Sequence, residues 1–191
     1  MYYVLDCEQL ADEEGGYLDI DDSVDAGVDL DDWASGLQFD LKTAGPFFLP
    51  ARAVRGYQGP PADFYDFRVC LMSLPMVQAL RAAGVDNIDV YPAFLVDERT
   101  SVSWKFSVVN IIGRVAAVDL GRSEWTSPDG TSRGEVSFEQ LVFNPQAAAG
   151  LLLFRAAENL RTIVIHERVK TSLERARLSG LSFIDPSQWQ T

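Results

Sequence analysis

Four oxygen-bearing side chains near the start of the chain occupy every second position, which is the spacing of a calcium-binding loop. They are Asp19, Asp21, Ser23 and Asp25. An EF-hand loop also needs Gly at its sixth position and Glu at its twelfth, where this chain has Val24 and Leu30. The match is poor, so the sequence predicts no metal site.

A single histidine restricts the catalytic chemistry open to this chain. Any Ser-His-Asp or Cys-His arrangement would have to use His166. The run that starts at His166 begins like the helix of a zinc protease, but Lys170 stands where that helix has its second histidine. One imidazole and one cation do not hold Zn²⁺. We therefore predict that His166 caps the last helix or faces solvent.

Paired carboxylates are the remaining candidates for acid–base chemistry. Asp19 with Asp21, and Asp29 with Asp31, form Asp-x-Asp tripeptides, but such tripeptides are common wherever Asp is abundant. Nothing selects which two carboxylates would act together. The sequence contains no P-loop and no glycine-rich dinucleotide motif after a strand. It therefore predicts no catalytic residues and no cofactor, while a hydrolytic carboxylate pair stays an open alternative.

The distribution of charge is the most informative property of the chain. The net charge is −12, and residues 1–40 contain thirteen acidic residues and no Lys or Arg. The rest of the chain holds 15 acids and 16 bases, a net charge of +1. Such a segment repels nucleic acids and anionic membranes and attracts a basic partner. The alternative is that the acids only keep the protein in solution.

We predict that seven aspartates of this acidic segment, residues 6–41, form or border a partner-binding surface. Trp33 is a further candidate, as an aromatic anchor of that surface, although burial in the core is the alternative that we favour for this side chain. The predicted partner-binding residues are Asp19, Asp21, Asp22, Asp25, Asp29, Asp31, Asp32 and Trp33.

The sequence lacks the features that mark export or membrane insertion. The run from Met1 to Asp6 has neither the basic start nor the apolar stretch of a signal peptide. No apolar run is long enough to cross a bilayer. Cys7 and Cys70 lie far apart and outside any Cys-x-x-Cys motif, which favours buried thiols in a reducing compartment. Together these observations predict a cytoplasmic protein.

Helix signals stand out at two places. Ser73 is a good N-cap for a helix near 74–83, Pro75 suits its first turn, and Gly84 suits its end. A second helix is expected near 167–178, where apolar residues recur at helical spacing and Gly180 follows.

Strand patterns predict a mostly antiparallel sheet in a single α+β domain with two or more packed helices. Residues 102–112 are expected to form a strand, since apolar and polar side chains alternate up to Val108 and both faces are apolar from there to Ile112, apart from Asn110. Residues 135–143 are expected to return beside this strand after a turn at 127–130. A break in the alternation within 135–143 predicts a bulge. Pro92 favours an edge position for the strand over 87–96. Shorter strands are expected at 1–5, 151–154, 162–165 and 181–184.

A boundary is expected before residue 63. Residues 43–61 contain four prolines and three glycines, which favours a connector without regular structure. We therefore divide the chain into 1–62, an acidic N-terminal segment that packs on the body, and 63–191, the main α+β body. Two independent domains are not expected.

The order of motifs over residues 65–185 resembles immunity family eleven of the bacterial polymorphic-toxin systems. The resemblance implies a cytoplasmic antidote, encoded beside a secreted toxin, that protects the producer or its kin. No family residues with an assigned function are carried over. The matching segments are Ser73 to Gly84, Asn87 to Pro92, Val108 to Ile112 with Asp119, Leu153 to Arg155, Ile163 to Ile165 and Gly180 to Phe183, and the opening Tyr2 to Leu5 fits as well.

Two functional hypotheses follow. In the first, the protein neutralises a cognate toxin with a basic surface by direct binding. In the second, it is an enzyme or small-ligand-binding protein that reverses a toxin's modification. The missing catalytic constellation and the one-sided acidity favour the first, and we predict that the protein is not an enzyme. No nucleic-acid or membrane partner is expected, and no oligomeric state is predicted.

Overall fold

A computed structural model describes residues 1–21, 33–38, 45–128, 130–132 and 134–190. Within these ranges the chain forms thirteen β-strands in three sheets and only two α-helices, with 41% strand and 15% helix. The predicted α+β fold class, built on one mostly antiparallel sheet, is therefore wrong, because the protein is mostly β. Six strands that were not predicted account for much of the difference: Tyr17–Ile20, Phe47–Val54, Phe64–Asp66, Cys70–Ser73, Arg114–Val115 and Glu124–Thr126.

The elements follow one another in a fixed order along the chain. They are β1 Tyr2–Cys7, β2 Tyr17–Ile20, β3 Phe47–Val54, β4 Phe64–Asp66, β5 Cys70–Ser73, α1 Leu74–Ala83, β6 Ile88–Asp97, β7 Ser103–Ile111, β8 Arg114–Val115, β9 Glu124–Thr126, β10 Ser137–Gln140, β11 Leu153–Ala156, β12 Ile163–His166, α2 Glu167–Ala176 and β13 Leu181–Ile184. Within the described ranges, neither helix is long and apolar enough to span a membrane.

The largest sheet has six strands in the order β2-β3-β6-β7-β5-β4. Its neighbours are antiparallel except β3 and β6, which run parallel. The sheet curls into a half-barrel, so Ile20 at one edge and Asp66 at the other line the same cleft. Its inner face is a core of fourteen buried residues, including Leu49, Leu95 and Val108.

A five-stranded sheet, in the order β13-β1-β12-β11-β8, forms the second layer. Helices α1 and α2 pack against each other, and their apolar side chains join those of this sheet and of β5 and β7 in one core. The hydroxyl of Ser172 on α2 donates to the main-chain oxygen of Ala79 on α1 at 2.8 Å. The helices therefore cover one part of the outer face of the six-stranded sheet and leave another part open.

The third sheet contains only β9 and β10. Placing 102–112 and 135–143 in the same sheet was therefore wrong, because β7 belongs to the six-stranded sheet and β10 pairs with β9. The predicted bulge is confirmed, since the register shifts between Phe138 and Gln140. Three buried side chains, Val136, Phe138 and Leu141, give this hairpin its own small core.

Both helices were correctly predicted. Ser73 accepts a hydrogen bond from the main-chain N–H of Met76, Pro75 lies in the first turn, and Gly84 ends α1 in the left-handed conformation with φ of 94°. That conformation costs a glycine little because it has no Cβ. Helix α2 begins after His166 and ends at Ala176, two residues before the predicted end, with Arg177 in the left-handed region.

Two prolines lie inside central strands, against expectation. Pro92 is in β6, which pairs with both β3 and β7, and Pro50 is in β3, within the stretch expected to be irregular. Pairing of β6 with β3 begins at Ala93, and pairing of β3 with β2 begins at Ala51. Pro92 therefore lies where β6 has only β7 as a partner, so its missing N–H need not leave a ladder position empty. Pro50 pairs with Val96 on β6 and its oxygen accepts the N–H of Asp21, just beyond β2, so its missing N–H falls at the end of the β2–β3 pairing. The division of the chain at residue 62 stays a prediction.

Candidate functional site

Two of the predicted partner-binding aspartates lie together at the β2 edge of the six-stranded sheet. Asp19 is exposed in β2 and is paired in register with Arg52 on β3. Asp21 follows β2, is exposed, and its N–H donates to the main-chain oxygen of Pro50 at 3.0 Å. Five further predicted residues lie outside the described parts of the chain: Asp22, Asp25, Asp29, Asp31 and Asp32.

Trp33 lies on the inner face of the curled sheet and is 1% exposed. Its ring meets that of Tyr91 edge-on, with the ring centroids 5.7 Å apart and the planes at 90°. A side chain at this position contributes to the core and is out of reach of a partner. The structure therefore places Trp33 as in the alternative weighed from the sequence, which is burial in the core.

Main-chain contacts hold residues 33–38 on the same surface. The side-chain amide of Asn110 donates to the main-chain oxygen of Leu37 at 2.7 Å, and Gly113 N–H donates to the oxygen of Gly36 at 2.8 Å. Gly36 has φ of 73°, and a Cβ there would lie 3.1 Å from the carbonyl carbon of Gly113. The close approach of these two glycines therefore explains why residue 36 has no side chain.

A polar cleft opens where the two edges of the curled sheet approach each other. It has a volume of about 470 Å³ and is lined by Asp19, Ile20, Asp66, Phe67, Arg68 and Arg161. Carboxylates and guanidinium groups lie side by side in it, so no single sign of charge dominates. Such a lining can hold polar groups of either sign.

Asp66, which lines the polar cleft, forms an ion pair with Arg155. Its carboxylate lies 3.5 Å from the guanidinium of Arg155, whose side chain is 3% exposed. Arg155 also donates to the main-chain oxygen of Leu160 at 2.8 Å. Burial raises the pKa of Asp66, and the positive charge of Arg155 works against that rise. The pair links β4 to β11 and thereby joins the two large sheets.

His166 has the capping role that the sequence indicated. Its Nδ1 accepts a hydrogen bond from the main-chain N–H of Arg168 at 3.2 Å, which satisfies a free donor of the first turn of α2. Its ring packs edge-on against Tyr2, with the centroids 5.1 Å apart. Lys170, in the place of the second zinc ligand, pairs with Glu174 and lies over the ring of Tyr3.

We expect His166→Ala to lower the free energy of unfolding by about 1 kcal/mol, because one capping bond is lost, and to leave unchanged the toxin protection that the family resemblance implies. Urea denaturation measures the stability, and survival of toxin-producing cells measures protection. His166→Asn, which can restore the cap, is the control. A folded His166→Ala protein that no longer protects would show that this imidazole takes part in function.

The two thiols are unsuited to nucleophilic chemistry. Cys70 is buried and Cys7 is half-buried, and both are free. Burial is the main cause that raises the pKa of each thiol, so the thiolate form is disfavoured. In the part of the chain that the structure describes, no three His, Cys, Asp or Glu side chains are grouped to hold a metal ion.

Several residues with structural or surface roles were not found from the sequence. Asn110 and Leu37 are 73 positions apart, and Asp66 and Arg155 are separated still further. Local periodicity carries no information on such pairs. The exposed Phe48 was also missed, because it follows Phe47 in a proline-rich stretch, where the sequence gives no sign of which face each ring occupies.

Comparison with known proteins identifies a family. No curated protein matches the chain. The model of the Immunity protein family (Imm11) matches residues 38–188, which extends the resemblance at 65–185 in both directions. Residues 1–37 lie outside the match. They contain twelve of the thirteen acidic residues that precede the first basic residue. On the strength of a match that covers most of its length, the chain belongs to the Imm11 immunity protein family.

Proposed function

We propose that this protein neutralises a cognate toxin in the cytoplasm by binding it directly, in a stoichiometric complex. The observation that carries the proposal is membership of the immunity protein family over residues 38–188. The thiols and the histidine support a binding role over a catalytic one, since burial raises the pKa of both thiols and the histidine caps a helix. The ion pair with Arg155 occupies Asp66, one of the two carboxylates that line the polar cleft.

The acidic segment is the proposed partner-binding surface. Of the seven aspartates predicted for this surface, the structure describes Asp19 and Asp21, and both are exposed. Trp33 and the bond from Asn110 to Leu37 attach the chain just beyond the remaining aspartates to the inner face of the sheet. An attached segment presents its charges with less loss of conformational entropy than a free tail does. A toxin with a basic surface fits this charge, and complementary charge accelerates encounter.

Titration of toxin activity tests the proposal. The probe is the toxin encoded by the gene adjacent to that of this protein, assayed with increasing amounts of the purified protein. We expect inhibition to be complete at about one molecule per toxin, because a binding inhibitor acts only while it is bound. Full protection at a small fraction of that ratio would instead indicate an enzyme that reverses the toxin's modification.

We expect that changing Asp25, Asp29, Asp31 and Asp32 to Asn slows association with the toxin about tenfold at low salt, since steering by charge accelerates association by one to three orders of magnitude. Stopped-flow measurements at two salt concentrations give the rate, and the difference should shrink as salt screens the charges.

A matched control removes the same number of charges elsewhere on the surface. Asp86, Glu98, Glu124 and Glu139 are exposed and lie outside residues 1–40. Their replacement by Asn or Gln should leave association nearly unchanged. Equal rates for both variants and the wild type at low salt would show that the acids of the N-terminal segment only favour solubility.

A further inference from the structure

An apolar patch lies on the outer face of the six-stranded sheet. Phe48 on β3 is 67% exposed, and its ring stacks on that of Phe94 on β6, with the centroids 5.5 Å apart and the planes at 14°. Leu74 and Val90 are 40% and 36% exposed, and with Pro92 and Phe94 they line an adjoining groove of about 290 Å³. We call Phe48, Leu74, Val90, Pro92 and Phe94 the aromatic patch.

The register of the sheet explains why these side chains share one face. Phe48 pairs with Phe94, and Phe94 pairs with Lys105, so the three side chains form a row across β3, β6 and β7. The helices cover the same face farther along, where Val109 and Ile111 are buried. The aromatic patch is the part of the face that the helices do not reach.

Contiguous exposed apolar side chains differ from single ones. A lone exposed apolar residue is ordinary on a protein surface, but a stacked aromatic pair beside an apolar groove marks a surface that binds another molecule. The groove is at the lower limit of small-molecule sites. It is large enough for a side chain of a protein partner, which favours a protein as the occupant.

We propose that the aromatic patch is the apolar anchor by which this protein holds its toxin, and that the toxin presents an apolar side chain with a basic rim to it. This inference rests on the proposed function. The patch adjoins the acidic edge of the sheet, since Asp21 is hydrogen-bonded to Pro50. Pro50 lies two residues from Phe48 along β3, about 7 Å at the rise of an extended strand.

The charge of the protein favours a toxin over a second copy of this chain as the molecule that binds the aromatic patch. Two copies would bring together surfaces that each belong to a molecule of net charge −12, and like charges oppose such an encounter. A basic partner gains from the same acidic edge. An aromatic centre within a charged rim is also the arrangement in which a few central side chains supply most of the binding energy.

The test compares dissociation constants for the toxin encoded by the adjacent gene. Phe48→Ser should weaken binding about 30-fold, the factor that corresponds to a central interface residue, and mainly by faster dissociation. Its urea midpoint should match that of the wild type, because Phe48 is largely exposed. Val90→Ser, in the adjoining groove, should also weaken binding. Leu151→Ser is the control, because Leu151 is 39% exposed and lies outside the patch.

Each outcome has one interpretation. Wild-type protein that fails to bind the toxin contradicts the proposed function itself. Wild-type protein that binds, with Phe48→Ser and Val90→Ser binding equally well, overturns the aromatic patch and leaves the proposed function intact. Light scattering that finds a wild-type dimer and a Phe48→Ser monomer also overturns the proposal, because a second copy then occupies the patch.

Discussion

Replacing Trp33 by alanine is expected to lower the free energy of unfolding by about 3–5 kcal/mol, the range observed when a buried aromatic is removed from a core. Trp33 is 1% exposed and packs on Tyr91 within the inner core of the curled sheet. Its removal leaves a cavity whose lining cannot collapse freely, since Leu49 and Leu95 are held in neighbouring strands. A loss of this size is a large part of the stability of a typical domain.

Urea denaturation of Trp33→Ala measures this loss, with Leu37→Ala as the matched control. Leu37 belongs to the same short stretch, but its side chain is 55% exposed, so its truncation should change the stability by less than about 0.5 kcal/mol. If Trp33→Ala and Leu37→Ala had equal midpoints, the tryptophan would not attach the acidic segment to the body. Toxin association should also slow in Trp33→Ala, because the segment is no longer held in place.

Arg155→Met is expected to destabilise the protein by about 3–5 kcal/mol, the cost of removing one partner from a buried ion pair. The guanidinium is 3% exposed and is the charged partner of Asp66. Without it, the carboxylate stays buried between the two large sheets with its charge uncompensated. Burial already raises the pKa of Asp66 in the intact protein, and the loss of Arg155 removes the main effect that opposes the rise.

The pH dependence of Arg155→Met gives an independent check. A carboxyl whose folded pKa is raised binds its proton more readily in the folded state than in the unfolded state. Its contribution to stability is therefore greatest below the unfolded pKa and is lost as pH rises through the folded pKa. The stability difference from the wild type should be larger at pH 7 than at pH 5. The same difference at both values would mean that Asp66 does not carry the effect.

A double variant separates lost charge from lost packing. Asp66→Leu combined with Arg155→Met removes both charges and fills the site with apolar atoms, a change that is often neutral for buried pairs. We expect it to recover most of the stability that Arg155→Met loses. A double variant that recovers none of this stability would show that the loss does not come from the uncompensated charge of Asp66, which leaves the bond of the guanidinium to Leu160 as its source.

The two faces of the curled sheet serve different parts of the proposed function. The inner face holds Trp33 and is joined through Asn110 to Leu37, which attaches the acidic segment. The outer face carries Phe48 and Phe94 where α1 does not cover it. Because successive side chains of a strand point to opposite faces, one set of strands can support both surfaces.

Local chemistry in the sequence was sufficient to predict both ends of α1 and the capping position of His166. Helix α1 begins after Ser73, because the hydroxyl caps free N–H groups, and ends at Gly84, because a glycine adopts positive φ. Both effects act within a few residues. The role of His166 followed from its place before a helix. The alternation over Ser103–Ile111 identified β7, since side-chain direction in a strand is a local property.

Only the tertiary structure decided which strands pair and which side chains meet. Alternation reports that a strand has a buried face, but it does not specify the neighbour, so β10 was assigned to the wrong sheet and β3 was missed. The prolines in β3 and β6 are tolerated because of where the neighbouring strands begin, which no local pattern encodes. The pairing of Asp66 with Arg155 and the burial of Trp33 depend on contacts between residues distant in the chain. Such contacts form only when the whole sheet curls, because their partners come from opposite edges or separate layers.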